Sequence, residues 1–389
     1  MKSVSQCWNI ADLASLARKA LPAPVHAILE GGADDESAMA RNRAAFADYA
    51  LVPRVLNDVS QVDGAATVLG QRLAWPMVVA PTAIAGLFHS GGEVALARAA
   101  AATGALFTLS AMASRSIEEV AAAAPGPKAF QAYVFRDRGI TRAQIQRARA
   151  AGYGALILTV DVPIPGNRER DRRADITLPP RLGARTFAAF ASRPGWCLDK
   201  ARHPMRLANF DDHCPRDGTS LSAYIAEQFD PTFNWADIAP LRRLWDGPLV
   251  LKGILRPEDA CRAAAEGVDA VVLSNHGGRQ LDTAVAPLDV LPRTVEALAR
   301  RGGAAGAIQV ILDGGIRRGT DMVKALALGA AGCMAGRPGL YGLAAGGQAG
   351  ALRALQLLRE EYGRDLGLLG LTATEQIDAG TIWRVPGPA

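Results

Sequence analysis

The loop at residues 274–280 carries the side chains in this chain that are best suited to acid–base chemistry. It follows four small or β-branched apolar residues, 270–273, which predict a buried strand. His276 is the residue type that exchanges protons near neutral pH, and Arg279 can bind a carboxylate through two parallel hydrogen bonds. Together, His276 and Arg279 predict a site in which a base lies beside a group that binds an anionic substrate. Taken alone, the same residues also fit a surface loop with a solvated arginine.

Eight apolar runs with strand character recur from residue 75 onward, and alanine-rich helical stretches separate most of them. This alternation predicts parallel strands, and eight is the number that closes a barrel. We therefore predict an α/β fold, a TIM (β/α)8 barrel with an N-terminal helical extension and a long insertion after strand four. The runs are 77–81, 106–110, 129–134, 155–161, 249–253, 270–276, 309–315 and 332–337.

The chain is predicted to be a single domain, 1–389. A helical N-terminal cover would span 1–60, the barrel 61–370 and a tail 371–389. The insertion at 165–245 is too long for a simple crossover between neighbouring strands.

Polar, glycine or proline residues close each apolar run. In an α/β barrel the C-terminal ends of the strands form the active-site face, so these residues are expected to converge. They are Pro81, Thr82, Ser110, Gln131, Tyr133, Thr159, Asp161, Lys252, His276, Arg279, Asp313, Gly314, Gly315, Gly336 and Arg337.

The last two runs are each followed by glycines and then a helical stretch, a pattern typical of phosphate binding. Glycine lets backbone N–H groups approach an anion, and the start of a helix adds a favourable dipole. The loop after run seven contains Gly314, Gly315 and Arg317, and the loop after run eight contains Gly336 and Arg337. Either loop alone also fits a tight turn, but the pair with its arginines predicts a phosphate site.

Lys252 closes the fifth run and would direct a cation toward the barrel mouth. There it could balance negative charge on a reduced flavin ring. The alternative is a lysine paired with a carboxylate such as Asp313, and both can hold. No GxGxxG follows an early strand, so a nicotinamide-binding domain is not supported.

The bulk composition predicts a filled globular core and small anionic ligands. The net charge is +5, with 49% hydrophobic and 6% aromatic residues. The chain contains no repeat of basic and aromatic residues of the kind that binds nucleic acid, so a nucleic-acid partner is not predicted. Five cysteines without a CxxC pair predict neither a disulfide framework nor a zinc site, which favours a reducing, cytoplasmic compartment. His203, His213 and Cys214 lack metal-site spacing, so no metal is predicted. Residues 1–21 lack the apolar stretch of a signal peptide.

Residues 273–282, Leu-Ser-Asn-His-Gly-Gly-Arg-Gln-Leu-Asp, closely resemble the active-site signature of the FMN-dependent (S)-2-hydroxy acid oxidoreductases. That family includes glycolate oxidase, flavocytochrome lactate dehydrogenase and mandelate dehydrogenase. The resemblance runs from residue 11 to 368, and its further motifs are 80–83, 130–133, 158–161, 250–253, 312–319 and 324–330. Segments 168–171, 207–210 and 233–235 are most similar to the mandelate dehydrogenases.

The resemblance implies that FMN lies across the barrel mouth and that an (S)-2-hydroxy acid is oxidised to the 2-oxo acid. Arg168 and Arg279 would bind the substrate carboxylate and Tyr133 the substrate oxygen. His276, oriented by Asp161, would take a proton. Whether that proton leaves the α-carbon, or the hydroxyl alongside hydride transfer, stays open. The implied FMN contacts are Pro81, Thr82, Ala83, Ser110, Gln131, Thr159, Lys252, Ser274, Asp313, Gly314, Gly315, Arg317, Gly336 and Arg337.

Three positions depart from the family pattern. Ile28 stands where the family usually has a tyrosine that binds the substrate carboxylate, so either the two arginines suffice or the substrate is held differently. Met112 replaces a bulky tryptophan of short-chain oxidases and leaves room for a larger, aromatic substrate. Ala83 stands where the family's oxidases often have alanine and its mandelate dehydrogenases glycine, so oxygen, a quinone and a protein all stay open as electron acceptors.

We expect a mandelate-like aromatic substrate ahead of lactate or glycolate. An FMN barrel isomerase and a non-catalytic barrel that binds a phosphorylated metabolite are the rival interpretations. Residues 179–210 mix basic with aromatic and aliphatic side chains, which fits either contact with an anionic membrane surface at its inner face or an active-site lid. The family is commonly tetrameric, so a homo-oligomer is expected.

Overall fold

A computed structural model describes residues 3–174, 184–210, 227–302 and 308–386. Eight parallel strands form a closed barrel in the order β10-β11-β4-β5-β6-β7-β8-β9, which confirms the predicted TIM barrel. The described strands are β1 Tyr49–Leu51, β2 Ala66–Val68, β3 Gln71–Leu73, β4 Met77–Val79, β5 Leu106–Ser110, β6 Lys128–Ala132, β7 Ala155–Thr159, β8 Leu249–Ile254, β9 Ala270–Leu273, β10 Gln309–Asp313, β11 Gly332–Ala335 and β12 Ile382–Arg384.

Helices surround the barrel strands as the alternating pattern predicts. The described α-helices are α1 Ile10–Ala20, α2 Ala23–Glu30, α3 Ser37–Ala44, α4 Gly92–Thr103, α5 Ile117–Ala123, α6 Arg138–Ala150, α7 Glu169–Arg173, α8 Ala184–Ala191, α9 Pro194–Arg202, α10 Ile238–Arg242, α11 Pro257–Ala265, α12 Pro287–Arg301, α13 Gly319–Ala327 and α14 Arg337–Leu368. None of these helices is both long and apolar enough to cross a membrane.

The barrel strands are apolar along their whole length because both of their faces are buried. On β4, Val78 packs into the barrel interior, whereas Met77 and Val79 join the core beneath the helices. Successive strand side chains point to opposite faces, so one short run fills both layers. Val68 and Leu73 of the β2–β3 hairpin belong to the interior cluster and close the barrel end away from the strand C-termini.

Six barrel strands, β4, β6, β7, β9, β10 and β11, end two or three residues before the corresponding runs do, and two of these ends bear on the site. Within the run 270–276, β9 ends at Leu273, where the predicted strand 270–273 also ends, and the next residues form a loop. Similarly, β11 ends at Ala335, and Arg337 is the first residue of α14. In both places the polar residues therefore lie beyond the strand, at the mouth of the barrel.

The N-terminal cover contains more than helices, and the tail packs against it. Strand β1 pairs antiparallel with β12, so residues 49–51 and 382–384 form one two-stranded sheet. Helix α1 packs along α14, while α2 and α3 reach the barrel mouth. The cover and the tail are thus parts of one structure around the barrel.

The described part of the insertion is docked on the loop that follows β4. The Trp196 indole donates to Leu87 O at 2.9 Å, and the Lys200 ammonium donates to Gly86 O at 2.5 Å. The Asp199 carboxylate accepts from the Ser90 amide at 3.0 Å. These three bonds from α9 hold the insertion beside the barrel mouth. Residues 179–183 of the predicted membrane or lid segment, together with His213 and Cys214, lie outside the described residues.

Candidate active site

A single pocket at the C-terminal ends of the strands gathers most of the predicted site residues. Those that line it are Pro81, Thr82, Ala83, Ser110, Tyr133, Arg168, Lys252, His276, Arg279, Asp313, Gly314, Gly315, Arg317, Gly336 and Arg337. Gln131, Thr159, Asp161 and Ser274 do not line this pocket and lie directly behind its wall as partners or neighbours of lining residues. Ile28, Ile84, Phe88 and Leu340 add an apolar part to the lining.

His276 and Asp161 form the hydrogen-bonded pair that the sequence suggested. His276 Nδ1 lies 3.0 Å from Asp161 Oδ1, and both side chains are largely buried. Burial lowers the pKa of His276, with the charges of Lys252 and Arg168 acting in the same direction and Asp161 opposing them. The imidazole is therefore neutral near pH 7. With the Nδ1 proton directed at the carboxylate, Nε2 is free to accept another proton.

Asp161 stays ionised although it is buried. Burial alone would raise the pKa of its carboxyl group, but the charge and hydrogen bond of His276 and the charge of Lys252 together lower it. Its second oxygen, Oδ2, has no hydrogen-bond partner among the described residues. The carboxylate is thus poised to stabilise an imidazolium.

Lys252, Ser274 and Asp313 form a buried polar triangle below the pocket. The ammonium lies 3.0 Å from both Ser274 Oγ and Asp313 Oδ2, and the serine hydroxyl donates to the same carboxylate at 2.8 Å. Burial opposes the charge on Lys252, but Asp313 and Asp161 outweigh it and raise the pKa of the lysine. Lys252 faces the pocket and is also paired with Asp313, so both of its predicted environments are present.

Arg279 and Arg168 place two guanidinium groups on one side of the pocket. Arg279 donates to Ile28 O at 3.0 Å and to Gly31 O at 2.5 Å, and it lies 3.3 Å from Asp171 Oδ2. Burial lowers the pKa of Arg279, and so does the nearby charge of Arg168. Two cations that share a desolvated wall favour an anion between them. The arrangement therefore suits a carboxylate.

Tyr133 supplies a neutral hydroxyl to the same pocket. Burial and the charge of Asp161 raise the pKa of its phenol to about 12. Its ring packs edge-on against Phe229, at 5.3 Å between centroids. A rigid, protonated phenol is a hydrogen-bond donor in this position.

The opposite end of the pocket is built from glycines and arginines. Gly314 and Gly315 have φ values of 127° and 82°, and a Cβ at Gly315 would meet the Asn42 carbonyl oxygen at 2.0 Å. Only glycine fits such a left-handed, close-packed turn. Arg337 at the start of α14 donates to Gly277 O at 3.1 Å, and Arg317 lies over the Tyr341 ring at 5.8 Å. Cations beside a helix start suit a phosphate.

Comparison with known proteins agrees with this geometry. The family model of the FMN-dependent dehydrogenases matches residues 17–384, nearly the whole chain. The chain belongs to the FMN-dependent dehydrogenase family. The predicted family resemblance, the enzyme class and FMN as the cofactor are thereby confirmed, and the isomerase and non-catalytic interpretations lose their support.

Similar relatives differ in the hydroxy acid that their names give. An L-lactate oxidase from Nostoc sp. is 43% identical, with 97% of this chain and 98% of the relative covered. Glycolate oxidase from Spinacia oleracea is 39% identical, with 96% and 95% covered. The crystal structure of the monotopic membrane protein (S)-mandelate dehydrogenase superposes with a TM-score of 0.91 at 39% identity, covering 97% of this chain and 100% of that chain.

The pocket fits the FMN that the family binds. Gln131 Nε2 and Thr159 Oγ1 are buried without a partner among the described residues, and both belong to strand ends beside the pocket. Buried polar atoms are nearly always hydrogen-bonded, and the flavin ring edge carries both donors and acceptors. Ser110 Oγ, which donates to Gln131 Oε1 at 3.0 Å, continues this polar row.

Several residues that shape this FMN-dependent dehydrogenase site escaped prediction. Asp171 pairs with Arg279, and Glu93 accepts bonds from the Ala85 and Ser114 amides beneath the pocket wall. Asn42 bonds Asn275 across 233 positions of sequence. Asn275 stood inside the recognised motif, but one sequence carries no signal for its partner, because a single asparagine in a helix has no distinctive spacing.

Proposed function

We propose that this chain oxidises an (S)-2-hydroxy acid to the 2-oxo acid, with a mandelate-like aromatic substrate preferred over L-lactate or glycolate. The observation that carries the proposal is the placement of the His276–Asp161 pair in the same pocket as the two guanidinium groups of Arg168 and Arg279. A base and an anion site side by side match an acid whose reacting carbon is next to its carboxylate.

Each side chain then has a defined task. Arg168 and Arg279 bind the substrate carboxylate, and the Tyr133 phenol donates a hydrogen bond to the substrate oxygen. His276 Nε2 takes one proton from the substrate, whether from carbon or from oxygen, and Asp161 stabilises the imidazolium that results. FMN, when bound, would supply the acceptor for the two electrons and the second hydrogen that the substrate loses.

We assign the FMN contacts from the family resemblance and from the place of each residue in or behind the pocket wall. The FMN phosphate would be held by Arg317, Arg337 and the backbone of Gly314, Gly315 and Gly336. Lys252 would balance the charge of the reduced ring, Asp313 would bind the ribityl hydroxyls, and further residues would contact the ring and the ribityl chain. These are Pro81, Thr82, Ala83, Ser110, Gln131, Thr159 and Ser274. Ser274 would act through Lys252 and Asp313, which it bonds at 3.0 and 2.8 Å.

The apolar part of the lining supports an aromatic substrate. Ile28, Ile84 and Phe88 line the pocket, and Met112 packs with Ile84 against a cluster that includes Phe135. Met112 and Phe135 are not among the lining residues, but the three side chains that line the pocket can bury the ring of an aryl acid and offer no polar contact to a small acid. Similarity to (S)-mandelate dehydrogenase agrees with this choice. The L-lactate oxidase relative keeps lactate as the second candidate.

We propose that the α8–α9 part of the insertion contacts an anionic membrane surface at its cytoplasmic face. Phe187 and Leu198 are 62% and 51% exposed, and Arg193 and Arg202 lie on the same segment. Exposed apolar side chains among cations suit a lipid interface. Flotation with anionic vesicles, compared between the parent and Phe187→Ser, tests the membrane contact. No flotation of the parent would favour a lid.

The electron acceptor in this proposal is oxygen, a quinone or a protein. We expect the enzyme to form a homo-oligomer, such as a tetramer.

The substrate preference is tested by the rate at which each acid bleaches the absorbance of bound FMN at about 450 nm under anaerobic conditions. (S)-Mandelate, (S)-lactate and glycolate are mixed in parallel with the same FMN-loaded enzyme. Bleaching that is fastest with mandelate supports the aromatic preference. Faster bleaching by lactate or glycolate refutes that preference and keeps the oxidation, while bleaching by none of a wider panel of 2-hydroxy acids refutes the proposed function.

A further inference from the structure

The loop that carries the base has an unusual backbone. His276, Gly277 and Gly278 all have positive φ, at 59°, 66° and 75°. A non-glycine residue is uncommon in this region and persists only where its surroundings enforce it. The conformation of His276 therefore depends on contacts made by its neighbours.

Two side chains within the loop supply the first contacts. Ser274 Oγ accepts from the His276 amide at 2.9 Å. Asn275 Oδ1 accepts from the Gly278 amide at 3.0 Å. The two residues before the base thus hold the backbone at and after it, provided that the Asn275 amide group is itself fixed.

Asn42 fixes that amide group from the N-terminal helix α3. Asn42 Nδ2 donates to Asn275 Oδ1 at 2.8 Å, and Asn275 Nδ2 donates to Asn42 Oδ1 at 2.8 Å. The two residues are only 3% and 4% exposed. A reciprocal amide pair in a buried site fixes the orientation of both groups, because turning either one would leave its donors and acceptors without partners.

The same residue also contacts the other glycine loop of the pocket. A Cβ at Gly315 would meet the Asn42 carbonyl oxygen at 2.0 Å, and a Cβ at Gly314 would lie 3.4 Å from Asn42 Nδ2. Asn42 is therefore packed between the loop with the base and the loop predicted to bind phosphate. A shift of Asn42 would therefore displace the backbone of both loops.

Helix α3 is in turn docked on the base loop at its other end. Asp282 accepts from the amides of Ser37 and Ala38 at 3.2 and 2.8 Å, in place of a side-chain cap from Glu36. The Ala33 amide donates to Gly278 O at 2.8 Å. These contacts set the position from which Asn42 reaches Asn275.

We propose that Asn42 is a positioning residue for proton transfer: its paired amide holds the left-handed turn at His276 in reach of the substrate and in register with the loop at Gly314 and Gly315. This inference rests on the proposed function, because it takes His276 as the base. Through Asn42, the N-terminal cover would contribute to the geometry of the active site.

The test is a single-turnover comparison of FMN-loaded parent, Asn42→Ala and Asn209→Ala proteins. Asn209 is an equally buried amide outside the pocket lining and bonds neither glycine loop: its Oδ1 accepts from the Ile117 amide at 3.0 Å, and its Nδ2 donates to Ala111 O at 3.4 Å. A substrate that bleaches the parent flavin is mixed anaerobically, and rate constant and amplitude are read separately. We expect Asn42→Ala to lower the rate constant about 10- to 100-fold at full amplitude, since an ångström of misplacement has that effect. Asn209→Ala should keep the parental rate constant.

Hydrogen exchange gives a readout independent of turnover. Peptides covering 274–279 and 313–316 should exchange faster in Asn42→Ala than in the parent, and their exchange in Asn209→Ala should match the parent. Should the alanine variant fail to fold, Asn42→Asp keeps the shape and the acceptor and loses the donor to Asn275 Oδ1, and should show the same change in rate. A parental rate constant in a folded Asn42 variant overturns the inference, as does an equal loss in Asn209→Ala. A parent that no 2-hydroxy acid bleaches refutes the proposed function instead.

Discussion

Replacing Asp161 with asparagine removes the charge behind the base and leaves its shape. The asparagine oxygen can still accept from His276 Nδ1 over the 3.0 Å that now separates the two groups. The imidazolium formed during the reaction then loses a charge-assisted hydrogen bond, worth about 1.5–3 kcal/mol in a mostly buried site. We expect the rate constant for flavin bleaching to fall about 10- to 100-fold.

The pH dependence of the Asp161→Asn variant gives a second, signed expectation. Asp161 raises the pKa of His276 against the effect of burial, so its removal lowers that pKa further. The base works only when neutral, above its pKa. The acid limb of the rate profile should therefore move to lower pH while the plateau falls.

Anaerobic stopped-flow mixing from acidic to neutral pH measures both effects. Asp269→Asn is the matched control, because this carboxylate pairs with Arg242 and the Leu249 amide at the opposite end of the barrel. It should alter stability without moving the profile. A plateau within about twofold of the parent, or an acid limb displaced to higher pH, would refute the assigned role of Asp161.

Three further changes test the remaining parts of the pocket. Ile28→Tyr should tighten the binding of small 2-hydroxy acids through its hydroxyl, and Ile28→Phe, which lacks that hydroxyl, should not; equal affinities in titrations of flavin bleaching would contradict this. Arg168→Met should raise KM about 10-fold or more with FMN retained, and an unchanged KM would remove Arg168 from the carboxylate site. Lys252→Met leaves the Asp313 carboxylate buried without its cation, so its affinity for FMN should fall about 10-fold, as measured by transfer of FMN to a competing apoprotein. Lys128→Met is the control: it removes an ammonium that bonds Ala124 O and Gly126 O, and it should bind FMN with the parental affinity.

The barrel could be predicted because its signal is repeated. Each strand between β4 and β11 is apolar on both faces, so eight short runs stood out from the helices between them. The β1–β12 pair had no such signal: each strand has three residues, and its partner lies more than 300 positions away. Strand ends were less certain, since runs such as 77–81 and 309–315 extend two residues past β4 and β10.

The polar set at the barrel mouth followed from topology, but its internal contacts did not. Parallel strands bring Lys252 and His276 to one end whatever their neighbours are. The His276–Asp161 pair was expected from family resemblance and lies across 115 positions of sequence. The left-handed backbone of His276 and the carbonyl groups of Ile28 and Gly31 that hold Arg279 depend on how α2 and α3 pack, and no local pattern encodes that packing.

The central claim is that His276 takes the proton when a 2-hydroxy acid is oxidised. Its most direct test is anaerobic mixing of FMN-loaded His276→Ala protein with a substrate that bleaches the parent. His89→Ala serves as the control, since His89 is a half-buried histidine that bonds the Gly91 amide outside the pocket lining. We predict that His276→Ala retains its FMN and is not bleached on the parental timescale, while His89→Ala behaves as the parent. Undiminished bleaching of the His276→Ala protein would contradict the account.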